Sequence, residues 1–282
     1  MSQQSKFFTG DPFFDRYLTT LTAFSALCLV GAKYQGRAPY GKFGHANKQI
    51  SLDPRFGWWL MELPATVGFL YGFWRGNRNK IRKQRENRDH RVPANIVGKV
   101  FAAGFLIHYA NRGWYFPLTI RVAQGGKQSF ALWNSLLGGI FVGSHAYLNG
   151  RYFSELGAYN EAWLKSFRFL LGFLIYELGF LLTVHSENLL KNLRPKSVVT
   201  DATNRYKIPH GGGFEYVTNP QYLGEIMAWF GFVIYTSSPT ALPVLLITLA
   251  NLVPRSFENH KWYLKKFKDY PKSRKVLIPF IL

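Results

Sequence analysis

The sequence predicts an all-α, multi-pass integral membrane protein with about seven transmembrane helices. Of its 282 residues, 48% are apolar and 17% are aromatic, and the apolar residues form blocks separated by clusters of cations. Thirty-five Lys and Arg against 15 Asp and Glu give a formal charge of +20. Because the apolar and basic residues are segregated along the chain, the pattern excludes a disordered basic tail and an evenly mixed, basic RNA-binding domain.

Seven apolar blocks are candidates for spanning helices, since a bilayer core requires about 20 apolar residues per helix. In chain order, they are residues 17–32, 56–74, 94–109, 130–148, 169–184, 222–237 and 241–253. The last two blocks are separated only by residues 238–240 and predict a tight helical hairpin. We expect one membrane domain over residues 1–282, with an N-terminal half (1–150) that holds substrate and a C-terminal half (151–282) that holds cofactor.

The distribution of Lys and Arg predicts the orientation of the spans. The first, third and fifth connections and the C-terminal tail carry more cations than the other connections, which predicts a cytoplasmic C-terminus in a bacterial inner membrane or the endoplasmic reticulum. Residues 75–91 are the exception: the predicted topology places them on the external side of the membrane, yet they carry eight cations. We interpret them as a solvated loop facing lipid headgroups and not as a nucleic-acid site, because no aromatic residue interrupts them to stack on bases.

Polar side chains within the predicted spans are candidates for function, because a charge at the bilayer centre costs about 2.5 to 3.5 kcal/mol. Trp58 lies four residues before Glu62 on the same helix face, and Met61 lies beside them. This group indicates one wall of a pocket or a structural Glu that bonds a neighbouring helix. One face near the end of the third span carries Phe105, Tyr109 and Arg112, for which an interfacial belt is the alternative. His145 and Glu177 are interpreted as interhelical hydrogen-bonding residues.

The C-terminal half continues this pattern of polar stripes. Glu187, Lys191 and Arg194 share one face of an amphipathic helix that Pro195 ends. Residues 206–214 form a loop with three consecutive glycines, and the chain contains no G-x-G-x-x-G or Walker pattern, which excludes a Rossmann domain. Asn219 and Pro220 predict the cap and first position of the next helix. A further helix is predicted to begin at residues 254–255.

Motifs in order from about residue 40 to the end resemble the steroid 5α-reductase family (3-oxo-5α-steroid 4-dehydrogenases). The most specific is the C-terminal block, RSFENHKWYL at residues 255–264 followed by YPKSRKVLIPFIL at 270–282. The others are Tyr40-Gly41-Lys42, Glu62-Leu63-Pro64, His108-Tyr109, His185-Ser186, Tyr206-Lys207-Ile208-Pro209 with Gly212-Gly213-Phe214, and Tyr222-Leu223-Gly224-Glu225. The resemblance implies a monomeric enzyme in the lipid bilayer that reduces the C4=C5 bond of a 3-oxo-Δ4 steroid with NADPH. The lipophilic substrate would enter from the membrane, and no metal or nucleic acid is expected.

The resemblance also implies roles for individual residues. Glu62 and Tyr109 would pair at the 3-keto oxygen of the substrate, where a donor stabilises the developing enolate. The expected substrate-binding residues are Trp58, Met61, Phe105 and Arg112. The expected NADPH-binding residues are Tyr40, Lys42, Glu187, Arg194, Tyr206, Gln221, Glu225, Arg255, Asn259 and Tyr263.

Three of these positions depart from the family pattern, with Met61 in place of a common Gln, Gln221 in place of Asn or another short polar residue, and Asn259 where His is common. The change at Met61 leaves other lipid enones or enoyl groups open as substrates. A membrane S-adenosylmethionine-dependent methyltransferase of related architecture is a second hypothesis, which gives Glu62 and Tyr109 no role. A non-catalytic protein that binds anionic lipid is a third, which leaves the acids within the spans unexplained.

Overall fold

The structure, a computed structural model, describes residues 8–32, 50–86, 95–122, 130–193 and 206–282. Within these ranges the chain is mostly helical. Seven long helices follow the seven apolar blocks in order: α1 (Pro12–Gly31), α2 (Pro54–Glu86), α3 (Ile96–Tyr109), α4 (Leu132–Arg151), α5 (Phe167–Leu193), α6 (Pro220–Thr236) and α7 (Leu242–Lys266). Three segments, Pro12–Gly31, Phe167–Leu193 and Pro239–Lys266, are long and apolar enough to cross a membrane. The count of seven spans stays a prediction.

Two predicted boundaries were wrong, because helices continue through them. The basic segment expected to be a loop is helical from residue 75 to Glu86, where α2 ends, since Lys, Arg, Gln and Glu all favour helix. Residues 87–91 lie outside the described chain. The helix expected to begin at residues 254–255 is the second half of α7, which contains Pro254. Packing against neighbouring helices allows an internal proline in such a helix, although it removes a backbone hydrogen bond.

Short elements at the ends of the long helices are a pair of helical turns after α3 and a small strand pair before α2 and α4. After α3, the chain continues as a π-helical turn (Ala110–Tyr115) and one α-helical turn (Phe116–Thr119). Single π-helical turns occur frequently at functional sites. A two-residue strand β1 (Ser51–Leu52) pairs antiparallel with β2 (Phe130–Ala131) and joins the starts of α2 and α4. This strand pair is a small departure from the all-α prediction.

The helices pack in close pairs through glycine. In the pair α5–α6, a Cβ atom on Gly179 would lie 2.5 Å from the backbone nitrogen of Ala228 and 2.5 Å from the carbonyl oxygen of Gly224. Only glycine permits this approach, as is common between membrane helices. The pair α2–α4 packs in the same way, with Gly150 of α4 facing the backbone of α2 at Phe69. An aromatic core fills the space between the pairs and includes Phe69, Phe101, Phe105, Phe153, Trp229 and Phe232.

The predicted start of α6 is confirmed at Pro220, with Asn219 before it. The side chain of Asn219 does not cap the helix. Its Nδ2 donates to the carbonyl oxygens of Ser256 (3.1 Å) and Val276 (2.9 Å), and its Oδ1 accepts from Nδ2 of Asn259 (2.8 Å). The residue thus joins α6, α7 and the C-terminal tail. The predicted hairpin is also confirmed, with a 3₁₀ turn at Pro239–Ala241 between α6 and α7.

Candidate active site

Three carboxylates from three helices surround one guanidinium group. Nε of Arg112 lies 3.3 Å from Oε1 of Glu62 on α2. Its Nη1 lies 3.5 Å from Oε2 of Glu225 on α6 and 3.7 Å from Oε1 of Glu187 on α5. Glu62 and Glu225 are 3% and 7% exposed, so the permanently charged guanidinium offsets carboxylates that have little access to water.

The π-helical turn after α3 positions Arg112 at this junction. A Cβ atom on Gly113, the next residue, would lie 3.4 Å from Cβ of Glu62, so the turn passes close to α2. The guanidinium carbon of Arg112 also lies 4.7 Å from the centre of the Trp58 ring, a cation–π contact. One side chain therefore connects the N-terminal half of the chain with the C-terminal half.

The predicted substrate-binding residues occupy different environments. The ring of Trp58 lies beside Arg112 and contacts Phe116 and Phe130, with ring centres 5.3 and 5.9 Å away. The side chain of Met61 instead faces α4, where a Cβ atom on Gly138 would lie 2.7 Å from its Sδ. Phe105 is fully buried in the aromatic core, 4.4 Å from the ring of Phe69. The substrate-binding roles of these residues stay predictions.

Tyr109 lies beside Trp229, with ring centres 6.2 Å apart, and bonds to a histidine. Its phenolic oxygen is 2.8 Å from Nε2 of His145 on α4, and both residues are buried. The interhelical hydrogen bond predicted for His145 is therefore confirmed. The structure does not place Glu62 and Tyr109 in a direct hydrogen bond within the described chain, because Glu62 pairs with Arg112.

Two residues of this cluster were missed among the predicted site residues. Nε1 of Trp229 donates to Oε1 of Glu225 over 3.2 Å. Nε2 of His108 lies 3.9 Å from the same oxygen, and its ring centre is 4.5 Å from that of Trp229. Trp229 could have been predicted from the sequence, because it lies four residues after Glu225 and so on the same helix face. For His108 the sequence offered only its position next to Tyr109.

The other predicted cofactor residues that the structure describes form a second group where α6 begins and α7 ends. Nε of Arg255 donates to the phenolic oxygen of Tyr222 over 3.0 Å. The ring of Tyr263 stacks on Tyr270 with centres 5.2 Å apart, and that of Tyr206 meets Trp262 edge-on at 5.0 Å. Gln221 and Asn259 lie on α6 and α7 in the same region. Tyr40, Lys42 and Arg194 lie outside the described residues.

Several buried polar atoms at the junction of α5, α6 and α7 have no hydrogen-bond partner within the described residues. They are Oγ of Ser186, Oε1 of Gln221 and Oδ1 of Asn259. A buried polar group without a partner costs about 1 to 3 kcal/mol. Two of these atoms are amide oxygens, which accept, and one is a hydroxyl, so together they indicate a site that can bind a polar ligand with carboxamide or hydroxyl groups.

Comparison with known proteins gives consistent matches along the chain. The family model described as 3-oxo-5-alpha-steroid 4-dehydrogenase matches residues 128–282. The 3-oxo-5-alpha-steroid 4-dehydrogenase 1 of Rattus norvegicus is 36% identical over 266 residues, which cover 94% of this chain and 93% of the relative. The 3-oxo-5-alpha-steroid 4-dehydrogenase 2 of Homo sapiens is 34% identical over 275 residues, with 93% and 94% covered.

A plant relative extends the comparison. The steroid 5-alpha-reductase DET2 of Solanum lycopersicum is 35% identical over 246 residues, which cover 86% of this chain and 88% of the relative. The matches span both halves of the chain, including the helices that carry Glu62, Arg112 and Glu225. They confirm the resemblance predicted from the short motifs. The chain belongs to the 3-oxo-5-alpha-steroid 4-dehydrogenase family.

Proposed function

We propose that this protein reduces the C4=C5 double bond of 3-oxo-Δ4 steroids, with NADPH as the reductant. It is an integral membrane oxidoreductase that acts on CH–CH bonds, as its family and its apolar helices indicate. The observation that carries the proposal is the buried cluster around Arg112, where the acids implied by the family motifs meet beside Tyr109. A methyltransferase would leave this cluster without a function.

The proposed reaction places negative charge at one atom of the substrate. NADPH, when bound, supplies the hydride that adds to C5. The electrons of the double bond then move toward the 3-keto oxygen, and a proton from water completes C4. The phenol of Tyr109 donates a hydrogen bond to that oxygen, and a preorganised donor in a site that excludes water stabilises the developing enolate.

Glu62 and Arg112 act on the geometry of this site. The ion pair at 3.3 Å holds the carboxylate of Glu62 against the π-helical turn at Arg112, which lies three residues after Tyr109 in the chain. This contact supports a role of Glu62 in orienting the keto group between α2 and α3. The indole of Trp58, which covers the guanidinium, supplies an apolar wall suited to a steroid ring system.

The residues of the α5–α6–α7 junction fit NADPH. Arg255 offers a guanidinium, which binds phosphate groups in a bidentate fork. Ser186, Gln221 and Asn259 offer buried polar atoms that lack partners within the described residues and suit the carboxamide and ribose groups. We also propose Glu187, Glu225, Tyr206 and Tyr263, with Tyr40, Lys42 and Arg194, as cofactor-binding residues.

We place the cofactor end of the protein in the cytoplasm, where NADPH is found. α5 and α7 finish at this end and α6 begins there, so the C-terminus is cytoplasmic in the proposed topology. The exposed apolar side chains of α1 and α5, such as Leu27 and Leu178, face lipid. The substrate reaches the site from the bilayer, and the protein acts as a monomer.

Two conservative substitutions test the catalytic assignment. Both variants are expected to bind NADPH like the unmodified protein and to lose turnover: Tyr109→Phe should lower kcat by about 100-fold or more, the usual cost of losing an oxyanion donor, and Glu62→Gln should lower it because it breaks the ion pair with Arg112. NADPH affinity is followed by fluorescence and turnover by steroid product. Glu86→Gln and Tyr71→Phe are matched controls, since both side chains are exposed. Unchanged turnover in both site variants would refute the assignment.

A further inference from the structure

We propose that His145 is a positioning residue for Tyr109, with its Nε2–H donating to the phenolic oxygen so that the phenol proton points to the substrate. The inference rests on the proposed function and deepens it, because it adds a residue that the family motifs above do not include. Its basis is the 2.8 Å contact between Oη of Tyr109 and Nε2 of His145, which joins α3 to α4.

Among the described residues, the ring of His145 has one hydrogen-bond partner. The imidazole is fully buried. The rings of Phe105, Phe141 and Trp229 lie 5.8 to 5.9 Å from it, centre to centre. Nδ1 has no hydrogen-bond partner within the described part of the chain. Nε2 is thus the atom through which this histidine acts, and Tyr109 is its partner.

The backbone that carries His145 is fixed by a second polar contact. Nδ2 of Asn149 donates to the carbonyl oxygen of His145 (2.8 Å) and to that of Thr240 (3.1 Å). Oγ1 of Thr240 donates back to Oδ1 of Asn149 over 2.8 Å. This arrangement ties the turn of α4 that bears His145 to the connection between α6 and α7. The imidazole therefore has little freedom to move away from Tyr109.

The proton count of the phenol explains why the direction of this bond matters. A phenol has one proton, and a neutral imidazole has one donor and one acceptor nitrogen. If Tyr109 donates to His145, it has no proton left for the keto oxygen. If Nε2–H donates to Tyr109, the phenol proton is free for the substrate. A donor to the phenolic oxygen also polarises the phenol, and this strengthens the hydrogen bond that the phenol donates to the enolate oxygen.

Substitutions separate this role from simple packing. His145→Phe keeps a buried ring but removes the N–H group, whereas His145→Gln keeps an N–H group at similar reach. We expect His145→Phe to lower kcat by about 10-fold to 100-fold, with little change in KM for the steroid or in NADPH affinity. His145→Gln is expected to recover most of this loss. In the Tyr109→Phe background, His145→Phe should cause no further loss, because the group it positions is absent.

A spectroscopic measurement makes the contact testable without turnover. The full chain is labelled with ¹⁵N-histidine in detergent micelles, and the His145 signals are identified as those missing from His145→Gln. The Nε2 signal should have the shift of a protonated nitrogen and should move in Tyr109→Phe. An unprotonated Nε2, or an Nε2 signal with the same shift in Tyr109→Phe as in the unmodified protein, overturns the proposal.

The outcomes distinguish this proposal from the proposed function. If the unmodified protein reduces steroids and His145→Phe keeps its kcat, the positioning role is refuted and the function stands. If His145→Phe loses as much activity in the Tyr109→Phe background as alone, the effect is general packing and the role is refuted. If the unmodified protein reduces no steroid enone, the proposed function fails and the positioning role fails with it.

Discussion

Replacing Gly179 with alanine should separate α5 from α6 and thereby damage the site without touching it. The added Cβ would lie 2.5 Å from the backbone nitrogen of Ala228 and from the carbonyl oxygen of Gly224, where ordinary contacts begin at 3.4 Å. Both partners are backbone atoms, so the helices must move apart by about 1 Å to reach an ordinary contact. Overpacking of this kind costs about 1 to 3 kcal/mol, against which alanine returns up to about 1 kcal/mol of helix propensity.

The loss of activity should exceed the loss of stability, because the two helices carry groups of the same site. Gly224 precedes Glu225, and Gly179 lies two turns before Glu187; both acids face Arg112. A displacement of about 1 Å at a reacting centre costs on the order of 100-fold in rate. We therefore expect Gly179→Ala to lower kcat by about that factor while Tm in detergent falls by only a few degrees.

The assay compares thermal unfolding and steroid turnover in the same detergent preparation. Leu178→Ala is the matched control, since this neighbouring side chain is 51% exposed toward lipid in the proposed topology. It should leave turnover within about twofold of the unmodified protein, as a surface substitution normally does. Equal turnover and equal Tm for Gly179→Ala and the unmodified protein would refute the reasoning that this interface positions the acids.

Two further predictions concern stability. The carboxylate of Glu155 accepts hydrogen bonds from Lys83 (2.9 Å), Arg151 (2.8 Å) and Asn79 (3.2 Å). Burial raises the pKa of this carboxyl, but the three hydrogen bonds outweigh burial and hold the pKa below its ordinary value of 4.5. Because the folded-state pKa is lower than the unfolded one, this contribution is complete above about pH 4.5 and is lost as the pH falls through the folded-state value. Glu155→Gln should cost about 3 kcal/mol at pH 7 and flatten the acid limb of stability against pH; an unchanged acid limb in thermal melts would contradict this. Asn219→Ala should lower the free energy of unfolding by about 2 to 3 kcal/mol, since it leaves the buried carbonyls of Ser256 and Val276 without their donor. Limited proteolysis should then release the C-terminal tail first, and a protease-resistant tail would contradict the prediction.

The positions of the helices were largely predictable from the sequence. The apolar blocks predicted all seven long helices in the correct order, because a helix that is buried in lipid or in a core requires a long apolar run. The start of α6 was also predictable, since proline at the first turn has a local cause in its fixed backbone angle. Helix ends were less so. The basic end of α2 and the continuation of α7 through Pro254 depend on packing, which sequence periodicity does not contain.

The arrangement of the site was predictable only in part. Glu62, Glu187 and Glu225 each stood out as acids in or beside apolar blocks. Nothing in their spacing indicated that one arginine contacts all three, because that depends on the π-helical turn at Ala110–Tyr115 and on the close approach of α5 and α6. The family resemblance supplied residue roles, whereas the structure added the contacts of Arg112 and the bond between Tyr109 and His145.

The most direct test of the account follows the hydride. The purified full chain in detergent is mixed with a 3-oxo-Δ4 steroid and NADPH that carries deuterium at the transferred position of the nicotinamide, and the product is examined by mass spectrometry and NMR. The account predicts a 5α-reduced or 5β-reduced steroid, one mass unit heavier than with unlabelled NADPH, with deuterium at C5 and a solvent-derived proton at C4. A steroid recovered unchanged from protein that binds NADPH, or a reduced product with deuterium at C4, would contradict it.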